Sequence, residues 1–321
     1  MDLIYANAKG EDVGVLKDYT FDLAFGTDEN DFELTLDVNQ HCCDESYLVY
    51  VEGTEYGGII DGVNIQSSDD KLSYKGRTWH GVLASKIISP DSGKAYLTVS
   101  GEANTVLKSL IQRMGLTDLF TTPNVDSGLV INNYTFDRYV DGYVGIIKML
   151  NSVSGKLKLT FTNGQVITSA SPIVDYSQDE QFDNDQVELG IEKTYNTVNH
   201  LICLGKGELE NRQVVHLYVD AKGNISEKQT FTGLQEVTAV YDYPNVESLD
   251  ELKKNGTNKL QEYATKGKVQ MDFTPEDNIY DIGDIIGARE ITTGVFATEK
   301  ITKKIVTINQ GMVNINYKVG E

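Results

Sequence analysis

Residues 31–38 read Asp31-Phe32-Glu33-Leu34-Thr35-Leu36-Asp37-Val38, polar and apolar in strict alternation. Successive strand side chains point to opposite faces, so Phe32, Leu34, Leu36 and Val38 share a buried face and Glu33, Thr35 and Asp37 a wetted one. A half-exposed sheet follows, and the flanking sequence extends it from Phe21 to about Ile88. Tyr47–Val51, Ile59–Ile65 and Lys71–Ile88 read as further strands, punctuated by Gly53, Gly62 and the polar run of residues 67–70. Short strands at regular spacing predict a small barrel or sandwich.

Beyond Ser100 the period changes. Val106, Leu107, Leu110, Ile111 and Met114 fall on one helical face, with Ser100 as candidate cap and Glu102 favourable beside the helix N-terminus. A second helix is predicted over Arg138–Asn151, with Val140, Tyr143, Val144, Ile147 and Leu150 inward. Gly142 and Gly145 each cost it about 1 kcal/mol against alanine, so it depends on tertiary packing. Next, KLKLTFT and QVITSAS flank Asn163-Gly164, the strongest short hairpin signal because a type I′ turn needs positive φ at both positions. Residues 103–173 thus form a compact α/β unit, and Asp175–Asp185 reads as a connection.

Strands resume over Val187–Lys193, Thr197–Leu204 and Arg212–Asp220, the last turning at Lys222-Gly223-Asn224. A third helix, from Leu249 to about Thr265, opens with the capping box Ser248-Leu249-Asp250-Glu251. From Gly267 onward the pattern is strand, ending in ITKKIVTI and MVNINYKV around the Gly311 turn. The expected fold is mostly β with an α+β insert: a β-domain over 1–99, an α/β domain over 100–186, and returning strands, the capped helix and a second β-domain over 187–321. No tandem repeat of fixed period is present, although two β-domains around an insert are compatible with a diverged duplication.

At 321 residues the chain is long enough for two or three cores, since single cores stop growing at about 250 to 300 residues. Its 48 acidic and 28 basic residues give a net charge of −20, which repels a nucleic-acid backbone and argues against specific DNA binding. No apolar run approaches the roughly 20 residues a membrane-spanning helix needs. The first residues lack a basic start and an apolar stretch, so no signal peptide is expected. Three cysteines, two of them adjacent, do not make a disulfide framework and fit synthesis in a reducing cytoplasm. The sequons at Asn133, Asn224 and Asn255 carry no meaning without secretion.

A search for chemistry assigns no catalytic residue, cofactor site or metal site. His41, Cys42 and Cys43 are neighbours, and His200 and Cys203 lie three apart, but on strands neither group converges on one ion. Gly205-Lys206-Gly207 lacks the spacing of a phosphate loop and reads as a turn. Aspartates 175, 179, 183 and 185 suggest calcium, but Asn184 and Gln186 break the frame of such a loop. No Gly-x-Ser-x-Gly elbow is present, and 48 acids make any carboxylate pair uninformative for glycoside hydrolysis. Trp79 shares a face with Arg77 in strand register. The pair suits a carbohydrate platform, but a core or interface aromatic with a stacked guanidinium is the favoured reading.

The stretches Lys75-Gly-Arg-Thr-Trp-His-Gly-Val-Leu-Ala-Ser-Lys-Ile-Ile-Ser-Pro90 and Tyr96-Leu-Thr-Val-Ser-Gly-Glu-Ala-Asn104 resemble the hub proteins of phage tails, as found in prophages of Gram-positive bacteria. Val198–Leu209, the capped helix after Ser248, Tyr280–Arg289 and Thr302–Val306 extend the resemblance over nearly the whole chain. It implies a structural protein and no enzyme: a homotrimeric ring whose subunits each give two tube-like β-barrel domains, with pseudo-sixfold symmetry. Such a ring adapts a hexameric tail tube to a threefold spike or tip protein. The implied partners are the tail tube protein, the spike or tip protein, other baseplate proteins and tape-measure protein, in a virion tail or tail-like particle assembled in the bacterial cytoplasm. The acidity then suggests a lumen that DNA or tape-measure protein passes without sticking. Related hubs carry or bind cell-wall hydrolases, and lytic activity is expected on another polypeptide. A glycan or peptidoglycan hydrolase and a carbohydrate-binding module are the competing expectations. Arg77, Trp79, Gly283, Asp284 and Arg289 are the residues expected to have structural or interface roles.

Overall fold

The structure is a computed structural model that describes the chain except residues 67–69, 178–180, 184–187, 194–196, 222, 245, 247, 264–266, 274–279 and 321. The described chain forms two compact units, residues 1–189 with 270–321, and residues 190–269.

The first unit is organised by one long antiparallel sheet. Among the described residues, nine of its thirteen strands run, in hydrogen-bonded order, Met312–Val319, Phe296–Asn309, Thr20–Gly26, Asn30–Asp37, Lys71–Thr78, Gly57–Gln66, Leu48–Tyr50, Leu3–Ala6 and Asp12–Leu16. The sheet is open, with Asp12–Leu16 at one edge. The C-terminal strands join the N-terminal ones directly, Val306 standing opposite Leu23 and Ile308 opposite Phe21. The alternation in residues 31–37 is realised as read. Phe32, Leu34 and Leu36 are buried with Phe21, Leu23, Phe25, Leu72 and Tyr74, while Asp31 stands opposite Arg77 and Glu33 opposite Lys75. Val38 leaves that pattern: Asp37 caps a 3-10 turn over Val38–Gln40 by accepting the Asn39 amide.

Lys71–Ile88 is not one strand. The strand ends at Thr78, helix α1 covers Trp79–Ala84, and only Ile87–Ile88 is extended again. Thr78 caps α1 by accepting the Gly81 amide, and Gly81 packs so closely that a Cβ there would stand 2.1 Å from the Asn30 carbonyl oxygen. Trp79 and Arg77 therefore share no strand face.

Helix α2 covers Ala103–Arg113 and buries Val106, Leu107, Leu110 and Ile111. Its cap is Glu102, not Ser100, whose hydroxyl instead donates to Asn133. Helix α3 covers Gly142–Asn151, starts four residues later than expected, and is capped by Asp141. Its buried face is Tyr143, Ile146, Met149 and Leu150, rotated from the predicted one, with Val144 and Ile147 only partly covered. Both helix glycines permit close packing: a Cβ at Gly142 would lie 2.5 Å from the Leu83 carbonyl oxygen and from Met114 Sδ. The hairpin Gly155–Thr162 and Gln165–Pro172 turns at Asn163 (φ 51°) and Gly164 (φ 77°), as the type I′ reading requires. These elements share a core with α1.

The second unit is a four-stranded sheet, Ile225–Ser226, Val214–Val219, His200–Leu204 and Thr238–Asp242, with α4 (Leu249–Tyr263) on one face. Ser248 accepts the Glu251 amide as the capping box predicts. Leu201, Cys203, Val215, Leu217, Leu252 and Leu260 form its core.

Candidate functional site

The first unit contains a buried ion network built from four separate stretches of chain. The hairpin strand Gly155–Thr162 supplies Lys156, 5% exposed, and Lys158. The turn before strand Ile285–Arg289 supplies Asp281 and Asp284, the latter 1% exposed. Strand Phe296–Asn309 contributes Lys304, also 1% exposed, and the loop before strand Gly57–Gln66 contributes Glu55.

Asp284 accepts Lys156 Nζ with both oxygens, at 2.7 and 2.8 Å, and also the amides of Val174 (2.9 Å) and Asp281 (3.0 Å). Lys156 reaches Asp281 at 2.7 Å, and Lys158 reaches it at 3.2 Å. Lys304 donates to Glu55 at 2.6 Å, lies 3.8 Å from Asp281, and stands 5.7 Å above the Tyr317 ring centroid. Three ammonium groups thus face three carboxylates, as burial of charge demands.

The electrostatics follow from burial and pairing. Desolvation alone would raise the Asp281 carboxyl. The Lys156 hydrogen bond and the charges of Lys304, Lys156 and Lys158 outweigh it and hold Asp281 below the usual carboxylate range. Burial, the largest single influence on Lys304, would depress it, but the charge and hydrogen bond of Glu55 together with the Tyr317 and Asp281 charges outweigh burial and raise it. His80, on α1, lies 3.7 Å from Glu55, yet burial and the nearby Lys304 charge drive it down to about 3, so it is neutral. Its ring stacks on Phe25 at 4.5 Å and meets Tyr143 edge-on at 5.5 Å.

Chemically the network clamps segments together. Glycoside cleavage needs one carboxyl held protonated as an acid, whereas Asp281 is held ionised. Among the described residues no group of three or more His, Cys, Asp or Glu is placed to hold a metal ion. Cys42 and Cys43 Sγ lie 3.6 Å apart beside Tyr74, and burial pushes both thiols up. His200 and Cys203 point to opposite faces of their strand: Cys203 enters the core, and His200 contacts His216 at 2.9 Å and Glu236 at 2.8 Å. Asp179, Asn184, Asp185 and Gln186 lie outside the described residues.

Of the residues singled out in the sequence, Asp284 lies at the heart of the network and Gly283 forms the turn before it, at φ 98°. Trp79 is 0% exposed and stacks on Phe161 at 5.1 Å, which removes the carbohydrate platform. Arg77 does not stack on it. Its guanidinium grips Asp61 with two bonds of 2.8 Å and donates to Ser85 at 3.0 Å. Arg289 is exposed at the end of its strand. Sequence reading passed over Glu55, His80, Lys156, Asp281 and Lys304. One signal was present for Lys304, which alternates in phase with the inward Val306 and Ile308.

No protein-family model matches the chain, and no curated protein matches it either. Solved structures do. A prophage tail protein from Listeria monocytogenes aligns over 99% of this chain and 94% of its own, with TM-score 0.57 and 14% identity. The 43 kDa tail protein of prophage MuSo2 from Shewanella oneidensis aligns over 99% and 98%, with TM-score 0.56 and 12% identity. A tail protein from Neisseria meningitidis aligns over 100% and 96%, with TM-score 0.54 and 14% identity. At such identities the likeness is one of fold, and it runs nearly from end to end in both directions.

Proposed function

We propose that this chain is a structural hub of a phage tail or phage-tail-like particle, with no turnover of its own. The observation that carries the reading is the near full-length agreement of fold, in both directions, with three tail proteins. The finer reading is a homotrimeric ring joining a hexameric tail tube to a threefold spike or tip, with two tube-like β-barrel domains per subunit flanking the α/β elements. Tail tube protein, spike or tip protein, other baseplate proteins and tape-measure protein are the partners, and the virion tail is the location. Supporting it, the sequence resemblance and the fold lead independently to tail proteins, and the described polar cluster clamps chain segments together. The test is antibody labelling of particles from the source. Label at one end of the tail tube is expected. Label along the tube, or none on particles, overturns the reading.

A further inference from the structure

An apolar pocket of about 210 Å³ opens in the first unit between α3 and strands Gly155–Thr162 and Phe296–Asn309. Val144, Ile147, Ile282 and Ile301 give it an apolar wall. Its accessible charges are Lys148 and Lys300, and none of its lining residues is acidic, although the chain as a whole carries −20. Lys148 also reaches Asp137 at 3.0 Å, and Lys300 the Asn151 side-chain oxygen at 3.4 Å.

The second unit carries the complementary shape. Leu209 begins a 3-10 turn over Leu209–Asn211, is 93% exposed, and sits at φ 49°, a conformation a leucine adopts only under constraint. Glu208 and Glu210 flank it. The base of the turn is fixed: Arg212 donates to the Gly205 carbonyl at 3.1 Å and pairs with Asp242, and Gln213 donates to the Lys206 carbonyl at 2.9 Å. A rigid, acid-flanked apolar knob loses little freedom when it enters a pocket. Leu234 is still more exposed, but Gly233 and Gln235 beside it carry no charge.

The geometry points to a contact between copies of this chain, in which Leu209 of one copy fills this pocket on the next and Glu208 and Glu210 face Lys148 and Lys300. Knob and pocket are different surfaces, so the contact is head-to-tail and builds a ring if the rotation closes. It deepens the hub reading and rests on it in taking a second copy as occupant.

The test is oxidation of a Leu209→Cys, Ile147→Cys variant, on the purified chain and on particles assembled from it, with each single variant and the parent cysteines as controls. Covalent dimers and larger species are expected from the double variant alone. Bonds within one chain, or none in either preparation, overturn the contact. Leu209→Asp is expected to weaken self-association by about tenfold or more in sedimentation without moving the melting temperature, because the side chain is exposed. Unchanged association overturns the contact as well. Tip labelling without the crosslink refutes this contact and leaves the hub reading standing; a crosslink without tip labelling does the reverse.

Discussion

Lys304 is an ammonium group at 1% exposure whose nearest carboxylate comes from Glu55, 249 positions away in sequence. Removing one member of a buried pair strands the other, at about 3–5 kcal/mol. Lys304→Met is therefore expected to destabilise the first unit by about 3 kcal/mol, the lower end because Glu55 keeps 18% exposure. Adding Glu55→Gln should restore much of it, and urea midpoints of the three variants read this directly. Asp281 adds a pH dependence. Its folded pKa is depressed, so its contribution is present above the unfolded carboxylate value of about 4 and is lost as pH falls below it. Asp281→Asn should flatten that acid limb. Sequence made part of this legible. The inward phase of Lys304 was visible in ITKKIVTI, but Lys156 lies in the outward phase of KLKLTFT, where Leu157, Leu159 and Phe161 point inward. It is buried only because Asp284, 128 positions away, folds over it, and no local pattern encodes a contact of that range.

Helices show where local chemistry speaks and where it is overruled. The Glu102 side chain accepts the amides of Asn104, Thr105 and Ser127. Desolvation raises its carboxyl, but these bonds with the Ser127 hydroxyl bring it down to about 2. A depressed folded pKa means stability present at neutral pH and lost between about pH 4 and 2. Glu102→Gln is expected to cost about 1 kcal/mol near pH 7, as for loss of a helix cap, with the difference from the parent closing as pH approaches 2. Thermal melts across that range check it. In α3 the glycines weaken the intrinsic helix, yet Gly142→Ala, which raises propensity, is expected to destabilise by about 1–3 kcal/mol because the new Cβ meets the Leu83 carbonyl. The hairpin at Asn163-Gly164 was readable because its turn residues dictate positive φ. Helix α1 was not, since six residues fall short of two helical turns and TWHGVLA also fits a strand.

At the scale of the whole molecule, the period-two strands and the inserted helices were legible one by one. Their assembly was not, because the pairing of Phe296–Asn309 with Thr20–Gly26 joins residues nearly 300 positions apart and depends on no local signal. Two units carry the described fold. The proposed threefold ring fixes how many copies stand in one particle. Quantitative peptide mass spectrometry on purified particles, counting this chain against the tube protein, tests it most directly. About three copies per particle are predicted, as a closed threefold ring requires; a copy number matching the tube protein, or absence from particles, would contradict the account.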